Sequence, residues 1–277
     1  MRPDEAGNAV SVVIPCFRCA ATIGRAVESV ASQTVRPGEV ILVDDASGDE
    51  TAGLLLRLRE VHGGKWIHIV SLPANLGPGG ARNAGWEAAT GEWIAFLDAD
   101  DAWHPRKIEI QLRFLGTHPL VVLCGHSALR GDIDSRVPEP PDPIRARTVT
   151  RRLLLLRNPF VTPSVMVRRD LALRFASERR FMEDHLLWMQ IACAGHDIAA
   201  LDAKLAFLYK APFGEGGASA RLWEMEKAEL GNYRILFRQR AIGPFSLVAL
   251  WCFSLAKFLR RVLIAAVPEL RGELKPR

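Results

Sequence analysis

Short runs of bulky apolar residues recur along the first part of the chain, and amphipathic stretches separate them. The apolar runs are typical of strands buried on both faces, and they occupy positions 10–15, 40–43, 66–72 and 93–97. Apolar residues at helical spacing predict helices at 22–33 and 49–62, and a third helix is predicted after the glycine-rich segment 75–85. Strands that alternate with helices predict an α/β fold with a Rossmann-like, mostly parallel sheet and helices on both faces.

Acidic side chains follow two of these predicted strands. Asp98, Asp100 and Asp101 come directly after the fourth run, and Asp44 and Asp45 come after the second. Because the carboxyl ends of parallel strands meet at one edge of a sheet, these carboxylates are expected to share a site there. A hard cation such as Mg²⁺ or Mn²⁺ removes the repulsion among crowded carboxylates, so we predict a metal site. A solvated acidic turn that caps the next helix is the alternative.

The glycine-rich segment 75–85 lies between the two acidic segments. Glycine permits a tight turn or the close approach of a ligand to the backbone. The helix after it is expected to expose amide N–H groups suited to phosphate. The segment matches neither the Walker loop nor G-x-G-x-x-G, so alone it indicates no particular ligand.

The second part of the chain is patterned less regularly. Its predicted elements are helices at 105–117, 148–156 and 184–195, strands at 120–125, 164–167 and 206–209, and a proline-rich surface loop at 131–143. The strand at 206–209 is expected at a sheet edge, and the segment 212–219 is either a lid or a plain linker. Asp184 suits a helix N-cap and also a general base at a pocket mouth, and the two interpretations are compatible. His185 is expected to pack rather than to bind a ligand.

The end of the chain predicts two further helices. The first is amphipathic and covers 220–240, and an uncharged run at 241–256 follows it. This run is shorter than the roughly 20 residues that span a bilayer. On a helix, one stripe beside an apolar face carries the polar and basic residues Ser246, Ser254, Lys257, Arg260 and Arg261. The stripe predicts peripheral contact with an anionic membrane through 241–265, and packing against protein is the alternative.

Composition narrows the class of protein. The 277 residues are 49% hydrophobic and 24% charged, which is ordinary for a globular protein. The net charge of +5 favours anionic surfaces, and no nucleic-acid partner is expected. Five scattered cysteines and the lack of an apolar signal core predict a reducing, cytoplasmic location. Cys16 and Cys19 have C-x-x-C spacing, so a redox or zinc role is weighed, although no second pair completes a zinc site.

Taken together, the motifs resemble those of the family 2 glycosyltransferases with the GT-A fold. The matching segments are Val12-Val13-Ile14-Pro15 with Phe17, Ser29 to Gln33-Thr34 (S-x-x-x-Q-T), Val43 to Asp49 (V-D-D-x-S-x-D), Asn75 to Gly85 (N-x-G-x-x-x-A-R-N-x-G), Phe96 to Asp101 (F-L-D-x-D-D, containing the DXD motif) and Glu183-Asp184. Their order and spacing agree over about 9–210. Two departures are Arg18, where the family often has asparagine, and Ala46, where it commonly has glycine.

The resemblance implies a role for each matching residue. Its nucleotide-binding set is Pro15, Phe17, Asp44, Asp45, Arg82 and Asp98, of which Arg82 orients the acidic cluster. Asp100, together with Asp98, is implied to hold the Mn²⁺ or Mg²⁺ ion that bridges the diphosphate. Asp184 is implied to be the catalytic base, supported by Glu183. Arg18 is expected to alter the nucleotide pocket or the choice of donor.

The resemblance also implies an activity and a domain organisation. The activity is metal-dependent, inverting transfer of a sugar from a nucleotide-diphosphate sugar, with a UDP-sugar favoured, to a glycan or lipid-linked acceptor hydroxyl. Family analogy favours cell-surface polysaccharide or glycolipid synthesis at the inner face of the cell membrane. A GT-A domain is expected at 1–215, with a nucleotide half at about 9–117 and an acceptor half at about 118–215, and C-terminal helices at 216–277. A sugar nucleotidyltransferase and a non-catalytic nucleotide-binding module are the alternatives, and the oligomeric state is left open.

Overall fold

The first four predicted strands are present and pair side by side as parallel strands. They are β1 (Val10–Cys16), β2 (Glu39–Asp44), β3 (Ile67–Ser71) and β4 (Trp93–Phe96), in the sheet order β3-β2-β1-β4. The helices that connect them are α1 (Ile23–Ala31), α2 (Thr51–His62) and α3 (Gly77–Ala88). Every residue of β2 and β4 is buried, as expected for strands covered on both faces.

The computed structural model describes residues 7–131, 139–209 and 222–266. The chain divides into two compact units, Met1–Pro212 and Phe213–Arg277. The predicted domain boundary at 215/216 and the predicted lid or linker at 212–219 lie outside the described residues, as does part of the proline-rich loop.

Antiparallel strands extend this sheet in the second part of the first unit. The elements are β5 (Ala102–Trp103), α4 (Lys107–Thr117), β6 (Val121–Arg130), β7 (Ala146–Thr148), α5 (Arg151–Leu156), a 3₁₀ turn (Thr162–Ser164), β8 (Met166–Arg168), α6 (Glu183–Cys193) and β9 (Asp197–Leu208). The order continues β4-β8-β6-β9-β5, and β7 also pairs with β9. Strand β8 runs antiparallel to both β4 and β6, whereas β6 and β9 are parallel. The sheet is therefore parallel in its first half and mixed beyond it.

Two predictions for this region are wrong. The strand expected at an edge at 206–209 is the end of the long strand β9, which lies between β6 and β5 inside the sheet. The helix expected from 148 begins only at Arg151, because 146–148 form β7. The Thr150 hydroxyl caps this helix by accepting the Leu153 N–H at 3.2 Å, and a short strand before a cap leaves little periodicity to detect.

Helix α3 lies unusually close to the sheet, and Gly85 makes this possible. A Cβ atom at this position would lie 2.4 Å from Val13 Cγ1 and 3.0 Å from Val43 Cγ2, on β1 and β2. The glycine at position 85 therefore allows α3 to pack closely on β1 and β2. The same helix carries Arg82 and Asn83.

Replacing Gly85 by alanine is expected to lower the free energy of unfolding by about 1–3 kcal/mol, because the added methyl group overpacks buried side chains. Gly116→Ala is the matched control: Gly116 also lies in a helix, and a Cβ there meets no atom within 4 Å. That control is expected to raise stability by roughly 0.5–1 kcal/mol. Urea denaturation of both variants measures the difference, and equal effects would contradict the packing argument.

The second unit consists, in its described part, of α7 (Leu222–Arg238) and α8 (Pro244–Ala266). The helices are antiparallel, since contacts pair Trp223 with Phe258 and Leu230 with Trp251. The two helices match the predicted C-terminal helical tail. No helix among the described residues has both the length and the apolar character needed to cross a membrane.

The predicted basic stripe on the last helix is not a free surface. Ser254, Lys257 and Arg261 bind acidic side chains of α7, whereas Ser246 and Arg260 are exposed. Helical periodicity identifies which residues share a face, but it does not say which face turns toward the neighbouring helix.

Candidate active site

The turn after β4 brings three carboxylates together. Ligand oxygens of Asp98, Asp100 and Asp101 all lie within 4.8 Å of one another. Three oxygen donors at one point match the preference of Mg²⁺ and Mn²⁺, so the residues present fit the predicted cation. The capping alternative is wrong, because Asp101 is buried and the N-cap of α4 is Arg106, without a side-chain cap.

This acidic cluster is the only group of three or more candidate metal-binding side chains in the part of the chain that the structure describes. The thiols of Cys16 and Cys19 are both buried and form no disulfide, and among the described residues they belong to no group of three candidate ligands. The zinc interpretation of the C-x-x-C spacing therefore has no structural support.

The end of α1 fixes the chain that follows the acids. The Ser29 hydroxyl accepts the Trp103 N–H at 3.1 Å. Gln33 donates from Nε2 to the His104 carbonyl at 2.8 Å and accepts the Ile108 N–H at 3.0 Å. Hydrogen bonds from the S-x-x-x-Q-T segment thus hold the backbone that follows the acidic turn.

Arg25 holds the acidic turn itself. Its Nη2 donates to the Asp100 carbonyl at 2.6 Å, and its guanidinium carbon lies 3.8 Å from the ring centre of Tyr209. Sequence analysis missed Arg25, because an arginine on an exposed helix position is ordinary and no spacing marks it.

Arg82 joins the acidic turn to the start of α6. Its Nη2 donates to Asp98 Oδ1 at 2.7 Å, and its Nη1 donates to Glu183 Oε1 at 3.0 Å. The next residue, Asn83, exchanges two hydrogen bonds with the backbone of Phe175, at 2.8 and 3.0 Å. Helix α3 therefore holds both the Asp98 side and the segment that leads to Glu183 and Asp184.

Charge in this buried network is balanced locally. Burial opposes the charge of Arg82, but Asp98 and Glu183 outweigh it and raise the pKa of the guanidinium. Burial raises the pKa of Glu183, and the neighbouring Asp184 raises it further, while Arg82 opposes both. Arg82 thus offsets both the burial of Glu183 and its repulsion by Asp184.

Asp44 and Asp45 both form hydrogen bonds inside the protein. Asp44 Oδ1 accepts from the Ser47 hydroxyl at 2.5 Å and from the Ser47 N–H at 3.1 Å. The two oxygens of Asp45 accept the N–H groups of Leu76 and Gly77 at 2.7 and 2.9 Å. Burial raises the pKa of Asp45, although these two N–H groups oppose the rise.

The expected phosphate site at the start of α3 is therefore corrected. The amides predicted to receive phosphate instead receive the Asp45 carboxylate, which satisfies the same requirement of a helix N-terminus. The role of Asp44 and Asp45 as nucleoside ligands stays a prediction, and what is observed is that both carboxylates accept hydrogen bonds inside the protein.

The loop that follows β1 carries an exposed aromatic side chain. Phe17 is 47% exposed, and Pro15 is half-buried beside it in the chain. Arg18 lies 5.2 Å from the Phe17 ring centre and donates from Nε to the Ser47 carbonyl at 3.2 Å. Arg18 therefore links the loop that carries Phe17 to the loop that follows Asp44.

Asp184 lies in the first turn of α6. The helix N-cap is Met182, so the expectation that Asp184 itself caps the helix is wrong by two positions. Asp184 Oδ1 accepts the His185 N–H at 2.6 Å, and Oδ2 accepts from Thr162 Oγ1 at 3.2 Å. Asn158 Nδ2 also reaches Oδ2, at 3.5 Å. Thr162 and Asn158 were missed, because they lie in the irregular part of the chain.

His185 packs as expected. It is buried, and its Nε2 lies 2.7 Å from the Leu154 carbonyl of α5. This contact links α6 to α5 through the residue that directly follows Glu183 and Asp184.

Removing the Arg82 charge is expected to destabilise the fold. Arg82→Met leaves Glu183 buried without its cation, which is expected to lower the free energy of unfolding by about 3 kcal/mol. The double variant Arg82→Met/Glu183→Met removes both partners, and it is expected to recover much of that loss. Thermal and urea unfolding of the single and double variants measures this coupling, and strictly additive effects would rule it out.

Comparison with known proteins places this geometry in a family. The profile of a family described as Glycosyl transferase family 2 matches residues 11–174. The amylovoran biosynthesis glycosyltransferase AmsE of Erwinia amylovora is 30% identical over 224 residues, which are 78% of this chain and 80% of that protein. The Escherichia coli protein WfaP, a UDP-Glc:alpha-D-GlcNAc-diphosphoundecaprenol beta-1,3-glucosyltransferase, is 37% identical over 110 residues, 39% of this chain and 41% of WfaP.

Coverage of other relatives is partial. A 40% match to an uncharacterized glycosyltransferase of Nostoc covers 42% of this chain and 36% of that protein.

Solved structures share the fold. TarS of S. aureus in complex with UDP-GlcNAc superposes with a TM-score of 0.62 at 23% identity, covering 81% of this chain and 66% of that chain. A mannosyltransferase from Pyrobaculum calidifontis in complex with GDP-Man and Mn²⁺ gives a TM-score of 0.64 at 18% identity, with 95% and 82% coverage. These likenesses establish the GT-A fold that the sequence motifs implied.

Proposed function

The chain belongs to glycosyl transferase family 2, and we propose that it transfers a sugar, with inversion, from a nucleotide-diphosphate sugar to an acceptor hydroxyl. One observation carries the proposal: Arg82 binds Asp98 of the acidic turn and Glu183 beside Asp184. A single side chain thus links the acidic turn that would hold the donor diphosphate to the start of the helix that carries Asp184, the residue that would activate the acceptor.

Donor binding is proposed for Phe17, Asp44, Asp45 and Asp98, which lie at or just beyond the carboxyl ends of β1, β2 and β4, together with Pro15 near the end of β1. A UDP-sugar is the preferred donor, because TarS binds UDP-GlcNAc and WfaP is named for UDP-Glc. The link between Arg18 and Ser47 supports the proposal that Arg18 influences the choice of nucleotide.

Asp100 and Asp98 are proposed to hold Mn²⁺ or Mg²⁺, and Asp101 completes the cluster of oxygen atoms. When bound, such an ion supplies positive charge that stabilises the departing nucleoside diphosphate. Arg25 fixes the backbone of Asp100, so it keeps the carboxylates in place before the donor arrives.

Asp184 is proposed as the general base. Its carboxylate accepts a proton from the acceptor hydroxyl, whose oxygen attacks the anomeric carbon from the face opposite the leaving group. One base is enough for a single displacement, unlike glycosidases that use two facing carboxylates. Glu183 is paired with Arg82 and supports the position of Asp184 rather than competing for the proton.

The acceptor is proposed to be a glycan or a lipid-linked glycan used in cell-surface polysaccharide synthesis. AmsE is named for amylovoran biosynthesis, and WfaP is named for a diphosphoundecaprenol-linked acceptor. We therefore place the reaction at the inner face of the cell membrane.

Nucleotide binding is the first test. Calorimetric titration with UDP, GDP and dTDP is expected to show micromolar binding of UDP in Mn²⁺ and none in EDTA. Asp100→Ala is expected to abolish this metal-dependent binding, whereas Asp184→Asn is expected to bind UDP normally but to transfer no sugar.

Other outcomes of this test separate the rival functions. Binding of no diphosphate in either condition would favour a non-catalytic module. Release of pyrophosphate from a nucleoside triphosphate in the presence of a sugar phosphate would favour a nucleotidyltransferase. Near-normal transfer by Asp184→Asn would contradict the assignment of the base.

Thr162 offers a finer test of the base. Its hydroxyl donates to Asp184 Oδ2, so Thr162→Val is expected to lower kcat roughly tenfold, since one lost hydrogen bond corresponds to about 1.4 kcal/mol. Thr162→Ser keeps the hydroxyl and is expected to retain most of the rate. Binding of UDP is expected to stay unchanged in both variants, and equal rates for valine and serine would contradict this role.

A further inference from the structure

The last helix of the chain packs with its polar side inward. Ser254 is fully buried and donates to Glu226 Oε1 at 2.8 Å, and Lys257 Nζ donates to Glu229 Oε1 at 2.6 Å. Arg261 Nη2 donates to Glu226 Oε2 at 3.3 Å. Two acids of α7 and three polar residues of α8 thus fill the seam between the helices.

The apolar residues of the same helix point to the outside. Phe245 is 91% exposed and Leu259 is 60% exposed. The exposed large apolar side chains of α8 are Phe245, Val248, Trp251, Phe253, Leu255, Leu259 and Val262. Phe253 lies beside Lys257, whereas the other six share one side of the helix, and we call those six the α8 apolar face. An exposed apolar face of this extent on one helix indicates an interaction surface.

The exposed charges of this unit are mostly basic. Glu226 and Glu229 are buried in ion pairs, which leaves Glu224 as the exposed acid of the described helices. The exposed basic residues are Lys227, Arg234, Arg238, Arg240 and Arg260. The surface of the helix pair is therefore apolar and cationic, because its acids are used internally.

Basic and aromatic residues meet at the turn between α7 and α8. Arg238 and Arg240 are exposed there, next in the chain to the exposed ring of Phe237, and Phe245 begins the α8 apolar face. Arginines beside aromatic rings suit the boundary between lipid headgroups and acyl chains.

We propose that the α8 apolar face lies in the surface of an anionic lipid bilayer, with Arg238 and Arg240 directed to the lipid phosphates. A lipid surface fits better than an acidic protein partner, because the contact face itself is apolar and the exposed charges of the helix pair are mostly basic. With 23 residues, α8 extends about 34 Å along the bilayer plane. This inference deepens the location proposed above and names the partner, but it depends on neither the donor nor the base.

Flotation with lipid vesicles tests the proposal on the full-length chain. The unmodified protein is expected to float with vesicles of phosphatidylcholine and phosphatidylglycerol, and more weakly with phosphatidylcholine alone. Phe245→Gln/Leu259→Gln is expected to reduce partitioning to both at least roughly tenfold, because two large apolar groups are lost. Arg238→Gln/Arg240→Gln is expected to reduce only the extra binding to anionic vesicles.

A control replaces two exposed apolar residues elsewhere. Leu56→Gln/Val61→Gln alters two exposed side chains of α2, and it is expected to float like the unmodified protein. All the altered side chains are exposed, so we expect every variant to keep its fold. Thermal unfolding of each variant checks this.

Three results would overturn the proposal. The first is failure of the unmodified protein to float, and the second is equal flotation of the Phe245/Leu259 variant. The third is concentration-dependent dimerisation that the same variant abolishes, without flotation, which would assign the face to a second copy of the chain. UDP binding measured on the same samples keeps this result separate from the proposed reaction: flotation without UDP binding would count against the reaction alone.

Discussion

The buried guanidinium of Arg82 is the interaction on which the candidate site depends. It lies between Asp98 and Glu183, and both of these acids come from segments far apart in the chain. Without this cation, burial and the neighbouring Asp184 would oppose the charged form of Glu183. The close packing of α3 against β1 and β2, which Gly85 permits, sets where that cation lies.

Backbone strain is concentrated around the same site. Four described residues other than glycine have positive φ, and three of them adjoin a predicted site residue: Arg18, Ala46 and Met182, at 48°, 54° and 58°. The fourth, Arg240, lies between the last two helices. A left-handed conformation costs roughly 1–2 kcal/mol for a residue with a side chain. Surrounding hydrogen bonds, such as the Ser47 hydroxyl that accepts the Arg18 N–H at 3.2 Å, hold the chain there. The conformation at Ala46 also explains why glycine suits this position in the family.

Sequence patterns predicted the parallel half of the sheet and the carboxylates at its edge, because continuous apolar runs and the acids that end them are local signals. The ligand oxygens of Asp98, Asp100 and Asp101 do converge. What the sequence could not show is what each acid meets. Asp45 receives two amides of α3, and Asp184 receives Thr162, a residue from a segment without periodicity. Such contacts join distant segments, and no spacing along the chain reports them.

Buried polar groups outside the site were hidden for a related reason. Lys107 begins α4, where a lysine would ordinarily be solvated, yet it is fully buried with its amine 3.7 Å from the Trp103 ring centre. Burial lowers its pKa to about 7 and lowers that of the nearby His126 to about 3.

The two units use charge in opposite ways, and this difference has a physical consequence. In the first unit, Arg82 is enclosed so that acids remain ordered where a donor and a cation are proposed to bind. In the second unit, Lys257 and Arg261 form ion pairs with Glu229 and Glu226, so polar contacts help to hold the helix pair together. Because these polar residues of α8 face α7, the apolar side of α8 is left for an external partner. The exposed Phe245 and Leu259 are therefore a direct result of where the buried ion pairs lie.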